Sequence, residues 1–371
     1  MSGKLVRYLL PALVFQSAVI GGGYGTGREL VEFFLSLGPR GGLFAIIASA
    51  AVFSTVSMVT FELARVWGAY DYGRFFRRLL GPGWWLFELC YLLLLLIVLA
   101  VIAAAAGSIA DEAFGVNRWV GVGLAVSAIA LLVAGGSKPL ERFFAGWSLA
   151  LYAVYAVFVA LCLREFGSEI GQAFADDEAD GTGLASAWAG IRYAGYNLAV
   201  ITPVLATIRF HRTRKETLVA GALTGPVAMV PGLLFFLAMA GAYPTILDAT
   251  VPANELLEAL GSRTFQVIFQ VILFGTLIET GAALIHGLNE RIAGSRAERG
   301  GKLPFPIRLR VAAVPLAAAT ALSGFGLTAL IASGYGTLTL GFIAVYVVPV
   351  LTVGIWRLTA GVRPDRPSAQ R

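Results

Sequence analysis

The chain has little charge. Asp, Glu, Lys and Arg make up 13% of its 371 residues, against roughly 25% in an ordinary soluble domain. Hydrophobic residues make up 58%, and no stretch has the composition of a soluble domain. Histidine and cysteine are scarcer still, with two of each. His211 and His286 form no H-E-x-x-H, and no G-x-S-x-G occurs, so the zinc-protease and serine-hydrolase patterns are excluded. Cys90 and Cys162 lie in apolar runs that the topology below sets near opposite membrane faces, so no disulfide is expected. The net charge of +6 does not point to nucleic acid, because the basic residues sit in short loops between apolar runs. What is left is a polytopic membrane protein.

The apolar runs number ten. Span 1 covers about 5–37, span 2 about 42–67, span 3 about 84–110, span 4 about 118–134 and span 5 about 142–164. Span 6 covers about 184–209, span 7 about 216–242, span 8 about 262–292, span 9 about 307–323 and span 10 about 337–358. Between them lie a basic loop at 70–80, a polar stretch at 164–183 and a short surface helix within 243–261. A short apolar piece at 327–332 precedes span 10. Residues 1–20 imitate a signal peptide, but nine spans follow and no A-x-A-like site precedes Arg28, so an uncleaved first span is expected.

Loop charge sets the orientation. With a cytoplasmic N-terminus, 22 of the 28 basic residues fall in inside segments, and the acidic run Asp176–Asp180 falls outside. Both termini are then cytoplasmic, in a cytoplasmic (inner) membrane. One missed or invented span would invert everything downstream of it.

Span 1 contains Ile20–Glu32, I-G-G-G-Y-G-T-G-R-E-L-V-E. Gly21, Gly22, Gly23, Gly25 and Gly27 fall within seven positions. Each glycine costs a helix about 1 kcal/mol relative to Ala, so the helix should fail there. A broken helix at membrane depth needs protein or a water-filled cavity beside it. Span 6 carries a second weak step at Gly195, Tyr196 and Asn197, followed by Pro203. Breaks in the first helix of each five-helix half, running in opposite directions, point to an inverted-repeat transporter. The halves would be about 5–164 and 184–358 of one transmembrane domain, 1–371. A glycine used only for close helix packing is the competing reading at each break.

The motif G-G-G-Y-G-T-G-R-E-L-V-E-F-F resembles the first-helix signature of the YkvI-like membrane proteins. These resemble the amino acid–polyamine–organocation transporters with the LeuT fold. The resemblance covers essentially the whole chain. It implies an all-α, 5+5 inverted-repeat protein with spans 1 and 6 broken at mid-membrane and a central solute site between spans 1, 3, 6 and 8.

Gly21, Gly22, Gly23, Tyr24, Gly25, Thr26 and Gly27, with Gly195, Tyr196 and Asn197, are the expected solute-binding residues. Free carbonyls are expected from about Val19 to Gly23 and free amides from about Gly25 to Gly27. Span 8 carries a polar stripe of Thr276, Glu279, Thr280, His286 and Glu290 at helical spacing. Glu279, a carboxylate inside the bilayer, is a functional candidate. The resemblance puts Glu279-Thr280 where LeuT-like symporters use hydroxyl residues for sodium. Thr280 matches that pattern and Glu279 departs from it. A sodium ion would draw on Val19, Gly22 and Thr280. A carboxylate at 279 could instead carry a proton, hold a cationic substrate, or pair with Arg28 or Arg192. His286 would either join a proton relay or be a hydrogen-bonded core residue. Arg28, Glu29, Glu32 and Arg192 stand at similar depth on the two broken spans and are expected to form an outer gate.

The expected function is secondary transport of a small amino acid or organic amine, coupled to H+ or Na+, with no resident cofactor, as a monomer or homodimer in the lipid bilayer. An ion channel or uncoupled facilitator is the alternative, because G-Y-G occurs at Gly23–Gly25 and Gly334–Gly336. Each copy lacks the T-V prefix of a potassium filter.

Overall fold

The computed structural model describes residues 3–135, 137–177, 183–297 and 305–360. All regular structure among them is helical. Six helical stretches are long and apolar enough to cross a membrane, and a seventh counts if the bent pair ending in Gly167–Ala175 is one span. The chain is a multi-pass membrane protein.

Helix α1 (Gly3–Val19) ends at the glycine cluster. A single turn, α2 (Gly22–Gly25), and a short helix, α3 (Arg28–Phe33), follow it. Gly27 between them has φ 83°, a left-handed conformation that other residues adopt at a cost. A Cβ there would also meet Phe235, Met239 and Pro252 at 3.0–3.1 Å. The first-span break is therefore real and is fixed by backbone geometry.

The elements that follow are α4 (Gly38–Trp67), α5 (Tyr72–Leu80), α6 (Trp84–Phe114) and α7 (Arg118–Ala134). The basic loop expected at 70–80 is mostly α5. Asp71 caps it by accepting from the Arg74 amide, and Phe75, Phe76 and Leu79 bury its other face. Next come α8 (Ser137–Glu165), α9 (Gly167–Ala175), α10 (Gly183–Asn197) and α11 (Ile201–Ile208). The polar stretch after span 5 thus contains α9, bent by 68° from α8.

The second break differs from expectation. Gly195, Tyr196 and Asn197 remain inside α10, and the interruption is one 3-10 turn at Leu198–Val200 with right-handed helical angles at both its flanking residues. Gly195 is used for packing, because a Cβ there would lie 3.0 Å from Ile343 and Thr339. Span 6 tightens rather than unwinds.

Helix α12 (Arg214–Ala240) begins with a capping box between Thr213 and Glu216. The amphipathic α13 (Pro252–Ala259) buries Leu256 and Leu257 and exposes Glu255 and Glu258. Helices α14 (Arg263–Ala297) and α15 (Phe305–Ser323) precede one continuous helical rod, Leu327–Thr359. The short piece expected before span 10 is the start of that rod. Three π-helical stretches carry it through Gly334, Gly336 and Pro349 without a break.

Two groups of helices result. In one, α4 packs against α12 and α10, and α1 packs against α12. In the other, α6 packs against α15, α7 and α14. Small residues allow close approach in the first group: a Cβ on Gly190 or Gly225 would strike the α4 backbone at Ala45 or Ala50. Ser49 adds a bond from its Oγ to the Gly190 carbonyl at 2.9 Å.

Candidate functional site

The first-span break leaves two sets of backbone groups. The carbonyls of residues 17–20 and the amides of residues 21–24 have no i→i+4 partner. These sets lie earlier in the chain than expected. The Gly25 amide bonds the Gly21 carbonyl at 2.9 Å, and the Gly27 amide bonds the Tyr24 carbonyl at 3.0 Å. Thr26 closes the break by donating its hydroxyl to the Gly23 carbonyl at 2.9 Å. Its own carbonyl accepts from the Ala253 amide at 3.0 Å, tying the break to α13.

Residues 17–20 all face a cavity of about 580 Å³. Its other walls come from α6 (Tyr91, Leu94), α8 (Leu151, Tyr152), the α10–α11 junction (Asn197, Pro203) and α14 (Thr276, Glu279, Thr280, Gly287). The cavity extends along the C-terminal half of α1 as far as Val14 and to Tyr72 at the start of α5. It therefore reaches toward the end of the molecule where Arg7 pairs with Glu216 at 3.1 Å.

Glu29 caps the opposite end. It is 4% exposed and accepts a hydrogen bond from the Tyr196 hydroxyl. Tyr335 stacks on Tyr196 with ring centres 4.6 Å apart, and both rings line the cavity. The Glu29 carboxylate folds back onto the break, with Oε2 2.7 Å from where a Gly23 Cβ would be. Glu29 is thus a cavity carboxylate rather than one partner of a gate ion pair. A helical count through the break misplaces it, because Gly27 turns the chain before α3 begins.

Beyond Glu29 lie the remaining charges of the two broken spans. Arg28, 8% exposed, donates to the carbonyls of Leu247 at 2.7 Å and Ala249 at 3.0 Å, and reaches Glu32 at 3.4 Å. Arg192 lays its guanidinium over the Phe33 ring, 5.7 Å from its centre. Of the four expected gate charges, Arg28 and Glu32 pair with each other, whereas Arg192 rests on Phe33 and Glu29 on Tyr196.

No protein family profile matches the chain. A curated relative, the uncharacterized membrane protein YkvI of Bacillus subtilis (strain 168), is 22% identical over 292 residues, covering 76% of this chain and 80% of that protein. A manganese transporter of Eremococcus coleocola, in a point-mutant form, superposes with a TM-score of 0.61 at 14% identity, covering 98% of this chain and 82% of that one. The fold is that of the LeuT-type transporters. MhsT in complex with L-phenylalanine shares it, with a TM-score of 0.54 at 13% identity over 95% of this chain and 97% of that one. A Na+-coupled sialic acid symporter does too, with a TM-score of 0.51 at 14% identity over 94% of this chain and 85% of that one. The likeness to YkvI-like proteins carried by the glycine motif stands beside a LeuT-type fold.

Within that fold the other expected residues separate. Val19, Gly21, Tyr196, Asn197, Thr276, Glu279 and Thr280 line the cavity, and a Cβ on Gly21 would lie 3.9 Å from Thr280. The Thr276 hydroxyl is taken by the Ile272 carbonyl at 2.9 Å. Tyr24 turns away into a second cavity. Gly22 opens α2. Gly23 and Gly25 make room for Glu29 and Leu273, while Thr26 and Gly27 shape the break. His286 is absent from the cavity wall. The side chain of Glu290 lies outside the described residues. Sequence reasoning missed Tyr91, Tyr152 and Tyr335, all on the wall. Tyr335 belongs to the second G-Y-G, which in the sequence reads only as a filter motif.

Proposed function

We propose that the chain is a secondary active transporter that moves a small organic solute bearing an amino group, an amine or an amino acid, by alternating access. The observation that carries this reading is the cavity closed by Glu29, into which the free carbonyl end of α1 and Glu279 both face. Carbonyls at a helix C-terminus and carboxylates favour a cation, so an ammonium group suits this wall. The reading takes the wall residues from Val14 to Tyr72 as the mouth of an inward-facing state with cytoplasmic termini. The reading also takes ten crossings in two inverted halves, about 5–164 and 184–358. The remaining four of these crossings are the broken α1–α3, the 17-residue α7, α8 and the interrupted α10–α11.

Coupling is assigned to Glu279 with Thr280, through a proton or a sodium ion. In proteoliposomes, Glu279→Gln should abolish gradient-driven accumulation while solute exchange survives. Wild-type accumulation by the Gln variant would remove Glu279 from the mechanism. A thermal-shift screen of amines and amino acids, with and without sodium, identifies the solute, because a ligand of the folded state raises its stability.

A further inference from the structure

A second cavity, of about 340 Å³, adjoins the first. The two share Ile20, Leu151, Tyr152 and Thr276 as walls. Its remaining lining is almost wholly apolar and includes Tyr155, Val159, Leu234, Phe269 and Leu273. One polar atom breaks the pattern. Tyr24 is 0% exposed, lines this cavity, and its hydroxyl has no hydrogen-bond partner. A buried hydroxyl without a partner is costly, so this one favours a ligand that can bond to it. The neighbouring Tyr155 hydroxyl, by contrast, donates to the Pro231 carbonyl at 3.0 Å.

Resting on the amine-transport reading above, we propose that the solute is an amine with an apolar arm. Its ammonium group sits by the α1 carbonyl end and Glu279, and its arm passes between Ile20, Tyr152 and Thr276 into the second cavity. The four wall residues common to both spaces set them side by side, within reach of one molecule. A polar atom at the end of the arm would satisfy Tyr24. The solute class is then an arylalkylamine or a comparable amphiphilic amine, preferred over a short alkylamine.

The test compares uptake of labelled methylamine, 2-phenylethylamine and its 4-hydroxy analogue by the full-length protein in liposomes. The expected result is a KM for 2-phenylethylamine at least tenfold below that for methylamine, with the 4-hydroxy analogue lower again. Tyr24→Phe should erase the difference between the two aryl amines. Ala156→Trp, which fills the second cavity from α8, should raise the aryl-to-methyl KM ratio at least tenfold. Amine uptake with equal KM values, or with a ratio unmoved by Ala156→Trp, overturns the apolar-arm proposal and leaves amine transport standing. Retention of a lipid by the wild type and its loss from Ala156→Trp, with no change of selectivity, would assign the cavity to a lipid chain and also overturn it. Uptake of amino acids with no amine uptake overturns this proposal alone, whereas no uptake of any amine or amino acid overturns both readings.

Discussion

Glu29 shows how a single residue's role depends on the backbone beneath it. Its carboxylate occupies the space a Gly23 side chain would need. Gly23→Ala should therefore destabilise the protein by about 1–3 kcal/mol, as over-packing does in tight cores. In a Glu29→Ala background the same change should cost less, because the two groups compete for one volume. Thermal unfolding in detergent of the four proteins checks this, and strict additivity would contradict the contact. In the sequence Glu29 reads as a gate charge because Arg28, Glu29 and Glu32 are neighbours in the chain. Adjacent positions of α3 point about 100° apart, so Arg28 turns to the Leu247 and Ala249 carbonyls while Glu29 turns to Tyr196. The cavity tyrosines were invisible for a different reason. Tyr91 and Tyr152 sit in apolar helices, and their residue type is the same whether they face a core or a cavity.

At the scale of elements, glycine number was informative and glycine position alone was not. Five glycines in seven residues end α1. A single Gly195 with a tyrosine and an asparagine left α10 intact, because Thr339 and Ile343 of the last rod pack against it. The connection between α11 and α12 holds another element-level device. His211 is 4% exposed and neither ring nitrogen has a hydrogen-bond partner. Burial holds its imidazole below the ordinary value, against an opposing pull from Glu216. The unfolded chain then binds the proton more readily than the folded one. Its stability contribution is present above the ordinary histidine pKa, about 6.5, and is lost as pH falls through and below it. The melting temperature should fall from about pH 7.5 to about pH 5.5, and His211→Phe should make that slope shallower. An unchanged slope would place the acid sensitivity elsewhere.

For the whole molecule, composition and loop charge made the membrane class and the run of helices legible, and the glycine motif made the fold legible through its resemblance. The cavity and its Glu29 end were not legible, because they arise where helices distant in sequence meet, as Glu29 meets Tyr196 and Tyr335. The end beyond Glu29 is expected to be held shut by Arg28, which bonds to the Leu247 and Ala249 carbonyls. Arg28→Ala should weaken that seal, so that a cysteine placed at Ser17 becomes reactive to an impermeant maleimide from the far side. With Arg28 intact, labelling of the same cysteine should come only from the N-terminal side. Labelling from both sides with Arg28 present would contradict a sealed state. Everything proposed for this molecule requires gradient-driven movement of an amino-bearing solute through the Glu29–Glu279 cavity. The most direct test is uptake of such a solute into proteoliposomes under an imposed proton or sodium gradient. Saturable accumulation above the equilibrium level, collapsing when the gradient is dissipated, is the expected result. Non-saturating, ohmic flux indifferent to the gradient would contradict it.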